Sequence, residues 1–159
     1  MKSLFATKLL IAMAFLLGPA VAVAQQTDIS AAQEKTVSQA VMKVLDQYML
    51  AFNQMDVAAW EQTFQFPHYR LAGGQMKVLD NPGEQEGAVM KARFAEMGWH
   101  HSAWKHRKII NASATKVHVE TRFTRYRADG TEIATFDSLY ILTKEDGRWG
   151  VKMRSSFAQ

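Results

Sequence analysis

Apolar residues recur at spacings of three and four from Val37 through Val41, Val44, Leu45 and Tyr48 to Phe52. In a helix these positions share one face, so the pattern predicts an amphipathic helix over about 31–53, behind a polar leader at 25–30. The segment "NQMDVAAW" breaks that helix and starts a second, short one running to about Thr63, with Asp56 as its N-cap and Trp60 as its buried anchor. "FQFPHYRLAGG" reads as an extended segment closed by a Gly-Gly turn, with Pro67 keeping it out of the middle of a sheet. "MKVLDNPGE" reads as a strand and a turn, and "GEQEGAVMKARFAEMG" as a third helix ended by Gly98. From His101 onward the period changes to two. Four strands are predicted over 101–112, 115–127, 131–144 and 148–157, with turns at 111–114, Asp129-Gly130 and Asp146-Gly147. Helices first and an antiparallel meander last define an α+β pattern, in which the sheet curls around the long helix.

The first 24 residues follow neither period. Lys2 and Lys8 make a basic start, Leu9 to Leu17 is an apolar run too short to span a bilayer, and Ala22-Val23-Ala24 offers the small residues that a signal peptidase requires. The expectation is a signal peptide cleaved after Ala24 and a periplasmic or secreted protein with no membrane attachment once cleaved. Residues 31–159 are then left as one domain, a size that supports one core.

Composition narrows the function classes. The chain has 19 lysines and arginines against 15 acidic side chains, a net charge of +4, and the expected signal peptide carries two of the lysines. So small an excess argues against nucleic acid as a partner. With no cysteine, an exported chain has no disulfide framework and depends on its apolar core.

The order of elements, with "VLDQYMLAFNQMDVAAWEQTF" opening the domain and "DGRWGVKMRSSF" closing it, resembles the nuclear transport factor 2-like superfamily, which includes ketosteroid isomerases and SnoaL-like polyketide cyclases. The resemblance covers most of the chain after the leader. It implies a cone-shaped, cystatin-like half-barrel with a pocket between a strongly curved, mostly antiparallel sheet and the helices, often in a homodimer packed sheet to sheet. Function varies widely on this fold, so the site is argued from its own residues. In the isomerases an oxyanion-hole tyrosine lies on the first helix, and Tyr48 matches it relative to the following Asn and Asp. The aspartate base that precedes a proline on the first strand is missing, because Phe66 precedes Pro67. The third group is a carboxylic acid on the penultimate strand, where Leu139 falls at the matching position and Asp137 lies two residues earlier.

On the residues' own account, Asp137 shares a strand face with Ile133, Thr135, Leu139 and Ile141. If that face is inside, burial raises its pKa and makes it a general acid or base; the alternative is a carboxylate paired with a cation. His68 alternates with Phe64, Phe66 and Arg70 and could take over the base's role, or simply donate to a backbone carbonyl. Arg70 could hold a ligand carboxylate or neutralise Asp137. In "MGWHHSAWKHR", His100 and His101 point to opposite faces of a strand and His106 lies about 20 Å from His100, so no metal site is expected. Trp99 and Trp104 fall on opposite faces, as a pocket wall or as core aromatics. The stripe Lys116, His118, Glu120, Arg122 reads as a solvated or dimer-facing surface.

The expected protein is thus a small-molecule-binding domain with an apolar pocket and no cofactor. Asp137, His68 and Tyr48 are its candidates for proton chemistry on a hydrophobic carbonyl compound of the isomerase, cyclase or dehydratase kind, and Arg70, Trp60, Phe66, Trp99 and Trp104 are its candidates for ligand contact. The alternatives are a non-catalytic carrier or sensor, and an interaction module acting through the sheet face.

Overall fold

The computed structural model describes residues 29–158; the expected signal peptide and most of the expected leader lie outside the described residues. Nine elements follow in the order α1 (Ala31–Asn53), α2 (Val57–Glu61), β1 (Phe64–Ala72), β2 (Gln75–Leu79), α3 (Gly87–Glu96), β3 (His101–Ala112), β4 (Lys116–Tyr126), β5 (Glu132–Glu145) and β6 (Arg148–Ser156). The α+β reading holds, and the boundaries agree with the periodicities to within a few residues.

Local chemistry starts and stops the helices. Ser30 caps α1 through a reciprocal box: its hydroxyl accepts from the Gln33 N–H at 3.3 Å, and its own N–H donates to Gln33 Oε1 at 3.0 Å. Asp56 accepts from the Ala59 N–H at 3.0 Å, which starts α2 as the sequence predicts. Gly98, with φ of 66°, follows the end of α3 in the left-handed conformation that favours glycine.

The six strands lie in the order β2-β1-β6-β5-β4-β3, an unclosed sheet in which only the β1–β6 pairing is parallel. Two strands depart from their sequence reading. β1 was expected outside the middle of the sheet because of Pro67, yet it lies between β2 and β6. The β1–β6 register shifts between Phe64 and Tyr69, across the cis Phe66-Pro67 peptide, so the missing proline N–H falls in an irregular stretch of the ladder.

β5 is the second departure. Its buried residues are Ser138, Tyr140 and Leu142, which pair with the buried Thr121, Val119 and Val117 of β4. The face holding Asp137 and Leu139 is therefore the outer one, the reverse of the condition on which Asp137 was a pocket acid. Both faces of "EIATFDSLYIL" are rather apolar, and alternation alone does not choose between them.

The core lies between α1 and the inner face of the sheet. Val41, Leu45 and Tyr48 of the predicted helix stripe meet Val117, Val119, Tyr140, Leu142 and Val151. α2 and α3 add Trp60 and Phe94 at one end. That end does not fill completely.

Candidate functional site

Three helices and the inner face of the sheet enclose a cavity of about 170 Å³. Its walls are mainly aromatic. The ring of Tyr48 meets those of Trp60 at 5.3 Å and Tyr140 at 5.5 Å, both edge to face, and Phe52 meets Trp60 at 5.3 Å and Phe94 at 5.4 Å. Met49, Met90 and Phe123 complete the apolar lining. An adjoining hollow of about 580 Å³, between the β1–β2 turn and α3, shares Arg70, Lys77 and Arg93 with it.

Charge distinguishes this cavity from an oily one. Arg70, Lys77, Arg93, Arg125 and Arg154 line it, and Glu86, at the exposed start of α3, is the one carboxylate among the lining residues. Arg154 is buried; its Nη2 donates to Ser156 Oγ at 2.9 Å, and Ser156 is held in turn by Ser138 Oγ at 2.7 Å. The Arg154 guanidinium lies 5.5 Å from the Phe123 ring centroid and 5.6 Å from that of Tyr140, and it interacts with the hydroxyls of Tyr48 and Tyr140. Arg125 lies 4.9 Å from the ring centroids of both Phe94 and Phe136. Burial, followed by the nearby Arg154, lowers the Arg125 pKa to about 10 and lowers that of Arg70 as well. All remain cations at neutral pH. Burial pushes the Tyr140 phenol well above its ordinary range, so it stays neutral and keeps its proton to donate.

Three of the expected site residues, Tyr48, Trp60 and Arg70, line the cavity. Five do not. Asp137 is on the outer face with its side chain 55% exposed, and Arg122 binds it through two hydrogen bonds of 2.7 and 2.9 Å, which lower its pKa and keep it an ordinary paired carboxylate. His68 is buried but outside the cavity lining; it stacks on Phe64 at 4.0 Å and donates from Nδ1 to the Val151 carbonyl at 2.9 Å. Burial, the largest cause, brings its pKa down to about 4. Phe66 packs against the core. Trp99 donates to Ser102 Oγ at 3.0 Å and packs on Phe94, and Trp104 packs on Tyr140 at 5.7 Å. Trp104 thus packs against the core and Trp99 against Phe52 and Phe94, and neither tryptophan lines the cavity. Asp137, His68 and Tyr48 do not meet.

The residues that sequence reasoning missed are Tyr140, Arg125 and Arg154. Tyr140 is hidden by the face ambiguity of β5. Arg154 is hidden by a bulge: Leu142 pairs with Val151 but Ile141 pairs with Met153, so Lys152 is the extra residue. Beyond it the alternation changes phase and Arg154 turns inward. The histidine-rich stretch is at the surface, where His101 stacks on Tyr126 at 5.0 Å and His106 faces Glu120 at 3.4 Å. Among the described residues, no group of three or more His, Cys, Asp or Glu is placed to hold a metal ion.

No curated protein matches the chain. Among solved structures, a protein of unknown function with a cystatin-like fold from Nostoc punctiforme aligns with a TM-score of 0.67 at 12% identity, over 84% of this chain and 96% of the other. A ketosteroid isomerase-like protein from Erwinia carotovora atroseptica aligns at 0.57 and 21% identity over 75% and 93%, and a putative ketosteroid isomerase from Shewanella frigidimarina at 0.58 and 16% over 74% and 94%. Likeness at these identities shows a shared fold, with the long helix against a curved sheet. The sequence profile described as "NTF2-like protein (DUF6841)" matches residues 34–154, and the chain belongs to that NTF2-like family.

Proposed function

We propose that this protein is an exported, non-catalytic binding domain that holds a small, largely apolar molecule in the cavity between its helices and its sheet. One observation carries the reading: the cavity has an aromatic wall and hydrogen-bond donors at its depth, while neither candidate base lines it. Asp137 is paired outside, and the His68 imidazole is held by a backbone carbonyl away from the cavity. A proton abstraction next to a carbonyl requires a base within reach of the carbon acid. Walls whose one carboxylate, Glu86, stands exposed at the start of α3 suit retention of a ligand, in the manner of a carrier or a sensor.

A second reading, cofactor-free proton chemistry, is favoured by the grouping of Tyr48, Tyr140 and Arg154, which resembles a set of donors for a developing oxyanion. In that case the base must come from Glu86 at the rim, from the substrate or from water, and Asp137→Asn leaves turnover unchanged.

The exported form is also proposed to be a homodimer through the outer sheet face, where Leu139 and Ile141 are partly exposed beside the Arg122–Asp137 pair. Native mass spectrometry of protein purified from the periplasm tests export, assembly and occupancy together. The expected spectrum shows a dimer of chains beginning at Gln25, with an added organic mass. Chains that retain residues 1–24 would count against export, and a protein that binds no apolar probe such as toluene would count against the cavity reading.

A further inference from the structure

We infer that the molecule held in the cavity is an organic carboxylate with a ring-sized apolar body, its carboxylate seated on Arg154 between the hydroxyls of Tyr48 and Tyr140 and its mouth guarded by Arg70. The inference rests on the binding reading above and adds the chemical class of the ligand.

The first ground is an imbalance of donors. The Arg154 Nε–H has no protein partner among the described residues, and neither does the Trp60 indole N–H in the same wall. Arg154 is 94% buried, given its relative exposure of 6%; its Nη2 donates to the neutral hydroxyl of Ser156, and its further polar partners are the neutral phenols of Tyr48 and Tyr140. Among the described residues, neither Arg154 nor Arg70 forms an ion pair with a carboxylate. A guanidinium so deeply buried is costly without a counter-charge, and an anion that enters supplies one. The neutral phenols add to this, because each can accept from the guanidinium and still give its own proton to an anion's oxygen.

The second ground is the gradient of charge toward the entrance. Arg70, Lys77 and Arg93 line both the cavity and the adjoining hollow. An anion therefore meets cations from the rim to the floor, an arrangement that concentrates anions at the mouth.

The third ground is size and valence. A chamber of about 170 Å³ compares with the roughly 150 Å³ apolar cavity that accommodates benzene. A carboxylate brings a single charge and two oxygens in the plane that a guanidinium fork engages. A phosphate dianion carries twice the charge into the same aromatic walls, at a greater loss of hydration.

A matched ligand series on the purified protein, verified to be empty by native mass spectrometry, tests the assignment by titration calorimetry at pH 7 and low salt. Benzoate and phenylacetate are compared with benzamide and phenylacetamide, which keep shape and lose charge. The expected result is a Kd for each acid about tenfold or more below that of its amide. Arg154→Met should reduce that preference to about twofold, and Arg70→Gln should reduce it by a smaller factor, since the half-buried Arg70 is more screened by solvent than the buried Arg154. If Arg154→Met does not fold, as judged by circular dichroism, Arg70→Gln decides. Equal binding of acid and amide overturns the inference and leaves the cavity reading standing. An acid preference that survives in the folded variants moves the site elsewhere and overturns it too. Tighter binding of phenyl phosphate than of benzoate overturns the choice of carboxylate. Should neither the acids, the amides nor toluene bind, the cavity reading itself fails, and the inference with it.

Discussion

His68, 1% exposed, is buried as a neutral imidazole with a pKa of about 4, whereas the unfolded chain gives it the ordinary 6.5. Between those two values the unfolded state takes up a proton that the folded state refuses. The stability that depends on the neutral ring is complete above pH 6.5 and drains away as pH falls toward 4. At pH 5 the loss comes to about 2 kcal/mol. Urea unfolding at pH 7 and pH 5 should show that difference in the native sequence and most of it gone in His68→Leu; an unchanged difference in the variant would place the titration elsewhere. Asp137 is expected to contribute far less. Its carboxylate and Arg122 are both more than half exposed, and a screened surface pair contributes little. Asp137→Asn should move Tm by no more than about 2 °C and leave ligand affinity unchanged, whereas a clear loss of binding would return Asp137 to the site. The residue types were legible in the sequence, but their side of the sheet was not. Tyr48 is legible as an inward residue because helical periodicity is read over the several turns of α1, while the two apolar faces of β5 leave the sides of Asp137 and Tyr140 open until the strand is paired.

β6 carries the irregularity that the sequence conceals, and it also carries the join of the sheet. β4 alternates as far as Phe123, with Val117, Val119, Thr121 and Phe123 buried and the stripe of Lys116, His118, Glu120 and Arg122 on the other face. In β6 the bulge at Lys152 breaks alternation, and no local sign in "RWGVKMRSS" announces it. The strand's pairing with β1 is close. A Cβ built on Gly150 would stand 3.0 Å from the Phe64 carbonyl carbon, and equally near Gln65 Cγ and Arg148 Nη1. Side-chain ends can move aside, but the Phe64 backbone is held by the Arg148 guanidinium, which donates to the Gln62 and Phe64 carbonyls at 2.9 and 2.7 Å. Gly150→Ala should therefore cost about 1–3 kcal/mol in chemical denaturation. A neutral result would mean that β1 and β6 separate more readily than their contacts suggest.

At the scale of the molecule, the class of fold was readable because it depends on sums: one long amphipathic face, a change of period at His101, and three tight turns. The cavity was not readable, since its space is what remains after α3, the β1–β2 turn and the sheet have packed, and no single position encodes it. Strand order has a further bearing on how the chain matures. β6 lies between β1 and β5, so without residues 148–156 the sheet consists of two separate pieces, one of two strands and one of three. Neither piece can close the core over α1, and long-range pairing of this kind forms late. Among the described strands β6 is the last in chain order, so the other five emerge before the keystone that joins them. Until then the polypeptide stays open and threadable, a condition that suits the proposed passage across a membrane before folding.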